Sequence, residues 1–265
     1  MKLYTAAEVK KSGRFIGLYG KTAVGKTTSA LQSLTTPILF SFFEPRSQYE
    51  QIDASGRDPG KDIMVAEYEN WQDLIAFYAN PKNVEPYASL LIDGTSYLMN
   101  IGLSQEIEDE NFEALPENDR DIKSLTKQSK LSQEGWGTLA SQMFRLMDSL
   151  GKYSWSGKTV CMTMLEQENP KWGRDQGLCI APAFKGKEFS SNFVGYLDLL
   201  GYVRERQDAN GVIKYPPMVH FQDPGNEGFL CKYTGPNLSK PAVGPLNING
   251  FLAMLETQRT KEKNA

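Results

Sequence analysis

Short apolar runs alternate with amphipathic stretches along the first two hundred residues. Phe15-Ile16-Gly17-Leu18-Tyr19, Ile38–Phe43, Ser89–Asp93 and Thr159–Met164 are each five or six residues long and carry few polar side chains. Runs of that length, apolar toward both faces, read as strands buried on both sides. Between them lie segments of helical period. Thr27–Leu34 is stopped by Thr36-Pro37, and Trp71–Tyr78 repeats Trp71, Leu74, Ile75 and Tyr78 at helical spacing. Gly135–Leu150 places Leu139, Met143, Leu146, Met147 and Leu150 on one face. Strands alternating with helices predict an α/β fold with a mainly parallel central sheet flanked by helices.

Two polar stretches interrupt this rhythm, Gln105–Glu134 and Glu166–Lys187, and polar segments of such length inside a domain read as functional loops. After Asp198 the pattern becomes that of a β-hairpin, Leu199–Arg206 and Val212–Phe221 around the turn signal Asn210-Gly211. Phe251–Thr257 reads as a last helix. The expected organisation is a core over 1–205, a C-terminal β-hairpin and terminal helix over 206–258 packed on that core, and a disordered tail over 259–265.

The chemistry concentrates where the first strand ends. Gly20-Lys21-Thr22-Ala23-Val24-Gly25-Lys26-Thr27, continued by Thr28, fits G-x-x-x-x-G-K-[ST] in full. Glycine lets the backbone wrap a phosphate so that successive N–H groups point at its oxygens. Lys26 then reaches the β- and γ-phosphates of ATP, and the Thr27 hydroxyl takes a place on Mg2+. The preceding apolar strand and following helix are the context this loop requires. A second metal-holding group is expected at the tip of a neighbouring strand, and Leu90-Leu91-Ile92-Asp93 supplies it in Asp93. Hydrolysis needs a group to orient or deprotonate water, and Glu44, closing the strand Ile38–Phe43, is the candidate.

Composition removes several alternatives. Of the 265 residues only His220 is a histidine, so multi-histidine metal sites are excluded, and Pro217–Phe221 around it reads as an ordinary strand. Cys161, Cys179 and Cys231 are odd in number and widely spaced, which argues against a disulfide framework or a cysteine zinc site. The formal net charge of −3 means that nucleic acid would meet a local patch rather than a polycation. No apolar run approaches the roughly 20 residues of a membrane span, so a cytoplasmic protein without membrane contact is expected. Arg46, Arg57, Arg120 and Arg174 are scattered, unlike the arginine-bearing lid of a small-molecule kinase.

A catalytic Glu at the end of the second strand resembles the RecA-type branch of P-loop NTPases. More closely, the chain resembles the core-only RecA-like ATPases that bacteriophages encode for recombination and single-strand annealing. The matching segments are Gly20–Thr28, Leu90–Asp93, Trp136–Leu139, Thr159–Glu166, Pro182–Lys187 and Gly195–Asp198, in the expected order over residues 13 to 205. The resemblance implies a RecA-like core, a ring or filament with ATP at subunit interfaces, and single-stranded DNA bound by two loops. Carried over by position, those loops fall within Gln105–Glu134 and Glu166–Pro182, with Lys123, Lys127, Lys130, Lys171 and Arg174 as cations and Trp172 as a stacking platform. Lys185 and Lys187 stand where such ATPases insert a cation into the neighbouring site, and Gln167 or Glu166 at the end of the fourth strand is the polar sensor. An alternative is a nucleotide-switched interaction module, such as a helicase loader, in which hydrolysis is slow.

Overall fold

The computed structural model describes residues 13–44, 49–113, 131, 133–168, 170–171, 177–238 and 240–264. Strand β1 (Arg14–Gly20) shows why a central sheet forms. Its period-two alternation sends Phe15 and Tyr19 into one hydrophobic cluster and Ile16 and Leu18 into another on the opposite face, and all four are no more than 1% exposed. Parallel neighbours on both sides, β5 (Thr159–Glu168) and β7 (Leu199–Gln207), satisfy its backbone. Beyond β5 come β4 (Ser89–Asp93), β2 (Ile38–Phe42) and β3 (Ile63–Ala66), all parallel. Beyond β7 the sheet turns antiparallel through β8 (Ile213–His220) and β10 (Val243–Pro245), giving the order β10-β8-β7-β1-β5-β4-β2-β3. Two short strands pair off this path, β6 (Ile180–Pro182) with β5 and β9 (Lys232–Tyr233) with β7.

Helices cover both faces. On one, α1 (Lys26–Ser33) buries Ala30 and Leu31 against Ile16 and Leu18, with α2 (Tyr49–Ser55) beside it. On the other lie α3 (Trp71–Ala79), α4 (Ser104–Glu113), α5 (Gln133–Trp155) and α6 (Lys187–Asn192). The last helix, α7 (Ile248–Asn264), packs Ile248 and Leu255 near the hairpin and α1. The fold is therefore the mixed α/β one expected of a P-loop protein.

Several boundaries differ from the pattern-based reading. Residues 104–113 are helical rather than loop, continuing a helical turn (Thr95–Tyr97) and a π-helical segment (Leu98–Leu103) that follow β4. Ile107 and, one turn before it at the end of the π-helical segment, Leu103 are buried, too thin an apolar stripe to show through the acidic surface. β5 runs on through Gln167 to Glu168 because β6 pairs with that polar end. β7 is a parallel member of the core sheet before it becomes half of a hairpin, so the boundary at 205 cuts a strand. β3 went unrecognised because it is four residues long at the sheet edge, with Met64 and Val65 at 47% and 37% exposure. The terminal helix continues to Asn264, through the stretch expected to be a disordered tail; Glu, Gln, Arg and Lys along it are good helix formers.

Candidate nucleotide-binding site

The loop between β1 and α1 curls over the carboxyl edge of the sheet. Ala23 (φ 61°) and Gly25 (φ 92°) both take left-handed backbone, which turns successive N–H groups toward a common centre. Such a conformation costs a residue with a β-carbon roughly 1–3 kcal/mol, and Ala23 holds this strain within the loop. Gly25 caps α1 with no side-chain acceptor, so the first-turn N–H groups and the positive end of the helix dipole face the loop. Val24 points the other way and anchors the loop in the core.

Lys26 is only 8% exposed, and its ammonium donates to Gly20 O at 3.0 Å and Lys21 O at 2.7 Å. Thr27 Oγ1 donates to Asp93 Oδ1 at 2.5 Å. Thr163 Oγ1 donates to the same oxygen at 2.5 Å and accepts from Gly94 N at 3.1 Å. Asp93 is 3% exposed, and burial pushes its carboxyl pKa above the usual carboxylate value, against the pull of the two hydroxyl donors.

Glu44 reaches the same place from β2. Phe43 N donates to Asp93 O at 3.2 Å, tying the two strand ends together. Gly94 (φ 76°) makes room for the glutamate, since a β-carbon there would lie 2.7 Å from Glu44 Cγ. The result is a cavity of about 520 Å3 whose wall includes Thr22, Ala23, Gly25 to Thr28, Glu44, Asp93 and Thr163. The family model of the AAA domain, which spans residues 12–220, takes in the loop, both acidic groups and Thr163.

The chain belongs to this AAA-domain family of P-loop NTPases. No curated protein matches it by sequence at a significant level. For an AAA-domain NTPase, the residues fit a Mg2+ ion. That cation takes one or two carboxylates and otherwise phosphate and water oxygens, and Thr27 and Asp93 offer a hydroxyl and a carboxylate already in contact.

Among the described residues, the other sequence-derived candidates do not line this cavity. Lys21 is exposed, and its carbonyl accepts from Lys26. Gln167 Nε2 donates to Pro182 O at 3.2 Å within the β5–β6 pair, and neither Gln167 nor Glu166 lines the cavity. Lys185 is turned toward α4, donating from Nζ to Ser104 Oγ at 3.3 Å, and its N–H donates to Asn100 Oδ1 at 2.8 Å. Lys187 is exposed at the start of α6, and Lys171 is exposed beyond β5. Lys123, Lys127, Lys130, Trp172 and Arg174 lie outside the described residues. His220 stacks edge-on against Phe229, and burial holds its pKa below the usual histidine value.

Sequence reasoning missed Thr163, Gln51 and Tyr215 in the cavity wall. Thr163 left one readable sign, a polar residue inside an apolar run; its place level with Asp93, one rung beyond the Ile92–Met162 pair, shows only in the sheet register. Among the described residues no helix is long and apolar enough to cross a membrane.

Proposed function

We propose that the chain is a Mg-dependent, RecA-like ATPase of the kind bacteriophages encode, acting on single-stranded DNA in recombination or annealing as a ring or filament. The observation that carries the hydrolytic part is the convergence of three strand ends. The loop after β1, Glu44 after β2 and Asp93 on β4 open into one cavity. The loop N–H groups and Lys26 bind the phosphates, and Lys26 exchanges its loop carbonyls for phosphate oxygens when they arrive. Thr27 and Asp93 would hold Mg2+, and the ion, when bound, would supply positive charge against that developing on the transferred phosphoryl group. Glu44 takes the proton of the attacking water, and Gly94 keeps its side chain in position.

The DNA-directed part rests on the resemblance and on placement. Strand β5 runs parallel to β4, so its carboxyl end faces the same way as that of the strand bearing Asp93, and Lys171 beyond it is exposed. Lys185 and Lys187 follow β6 and serve a neighbouring subunit's site in an assembled ring or filament. The test is phosphate release from Mg-ATP with and without a single-stranded oligonucleotide, expected to rise with it. A rate that single strands leave unchanged, together with no ATP-dependent binding to them, moves the reading to a nucleotide-switched interaction module.

A further inference from the structure

The loop, Asp93 and Glu44 account for the phosphate end of the cavity, but two of its walls remain without a role. One is Tyr215 on β8, 61% exposed and yet part of the cavity lining. Its ring rests on the phosphate loop, for a β-carbon at Gly25 would lie 2.6 Å from Tyr215 Cε1. The hairpin is shaped to put it there. The β7–β8 register shifts between Arg204 and Arg206, and Arg206 Nη2 donates to Tyr215 O at 2.6 Å. Irregularities of this sort re-aim a side chain next to a site.

The second wall is Gln51, on the opposite flank of α1. Helix α2 lies on the β2 side of α1 and strand β8 on the β7 side. Gln51 Oε1 is buried and has no hydrogen-bond partner among the described residues, although the residue lines the cavity. A buried acceptor without a donor is costly and marks a place where a donor arrives.

We infer that Tyr215 and Gln51 form a nucleobase subsite that selects adenine, Tyr215 stacking on the ring and Gln51 accepting from its exocyclic amino group. This rests on the reading of the loop as a phosphate site. Tyr215 and Gln51 line the same cavity as the phosphate loop, so a nucleoside on phosphates held at the N-terminus of α1 has both within its cavity. Stacking on an aromatic face is indifferent to which base is present, so Tyr215 sets affinity. Gln51 sets choice. Adenine offers an amino donor beside N7, whereas guanine offers only acceptors, O6 and N7, on that edge. The buried amide oxygen therefore meets a donor in ATP and an acceptor in GTP.

The experiment is calorimetric titration of the full chain in Mg2+ with slowly hydrolysed ATP and GTP analogues and with inorganic tripolyphosphate. Tyr215→Ala weakens both nucleotides about 10-fold or more, Tyr215→Trp restores them, and tripolyphosphate is unaffected. Gln51→Ala weakens ATP about 10-fold and leaves GTP nearly unchanged, drawing their ratio toward one. Unchanged ATP affinity in Tyr215→Ala overturns the subsite. So does a Gln51→Ala effect equal for ATP and GTP or shared by tripolyphosphate, since that places Gln51 on the phosphates. Wild-type protein that binds none of the three ligands overturns the phosphate-site reading itself.

Discussion

Thr163→Val removes two hydrogen bonds and almost no volume. The hydroxyl donates to Asp93 and receives the Gly94 N–H, and both contacts are buried. A hydrogen bond to a charged group contributes about 1.5–3 kcal/mol, and a buried N–H left without an acceptor costs about 1–3 kcal/mol. The valine variant should therefore lose roughly 3 kcal/mol or more, a large share of the 5–15 kcal/mol typical of a domain. Thr163→Ser keeps the hydroxyl and loses one methyl, which costs about 1 kcal/mol. The difference between the two isolates the hydroxyl. It should also depend on pH. Burial raises the folded-state pKa of Asp93 above the ordinary 3.8. A raised carboxyl pKa contributes stability that is full below the unfolded value and is lost as pH rises through the folded value. Thr163 favours the ionised form, so its removal raises that pKa further. The deficit of the valine variant should be smallest near pH 4 and widen toward neutrality. Urea unfolding of both variants across this range measures it. Valine and serine variants that unfold within about 0.5 kcal/mol of each other at pH 7 would refute the reasoning, since the hydroxyl would then contribute less than one hydrogen bond.

Asp93→Asn removes a charge that burial disfavours in the folded protein, so the nucleotide-free protein should melt no lower than wild type while the Mg-dependent part of nucleotide affinity falls about 10-fold or more. Scanning calorimetry and titrations with and without Mg2+ check both halves, and an unchanged Mg2+ dependence contradicts the assignment. Gly94→Ala places a methyl 2.7 Å from Glu44 Cγ on left-handed backbone; kcat should fall about 10-fold or more with nucleotide affinity largely kept, as for a displaced catalytic group. Changing Lys127, Lys130, Lys171 and Arg174 together to Ala should abolish ATP-dependent binding of a labelled single-stranded oligonucleotide in fluorescence anisotropy. Wild-type binding should weaken steeply with salt.

What the sequence made legible was local chemistry. The glycine spacing of Gly20–Thr27 is dictated by the phosphate it wraps, and it stands out against any background. Asp93 and Glu44 were found because each ends a run of apolar residues. Thr163 escaped because threonine is an ordinary strand former and its function comes from register with β4, which no window of the chain displays. Tyr215 and Gln51 come from elements joined to the loop only by topology, an antiparallel strand beyond β7 and a helix beyond β2. The polar end of β5 looked like loop because its partner, β6, is three residues long and follows after eleven intervening residues.

The most direct test of the account is phosphate release from Mg-ATP by wild-type protein and by Glu44→Gln, with nucleotide affinity measured in parallel. Glutamine keeps the shape and cannot take the proton of water. The account predicts equal Mg-ATP affinity and hydrolysis slowed by about 100-fold or more in the variant. Hydrolysis by Glu44→Gln at the wild-type rate would contradict it.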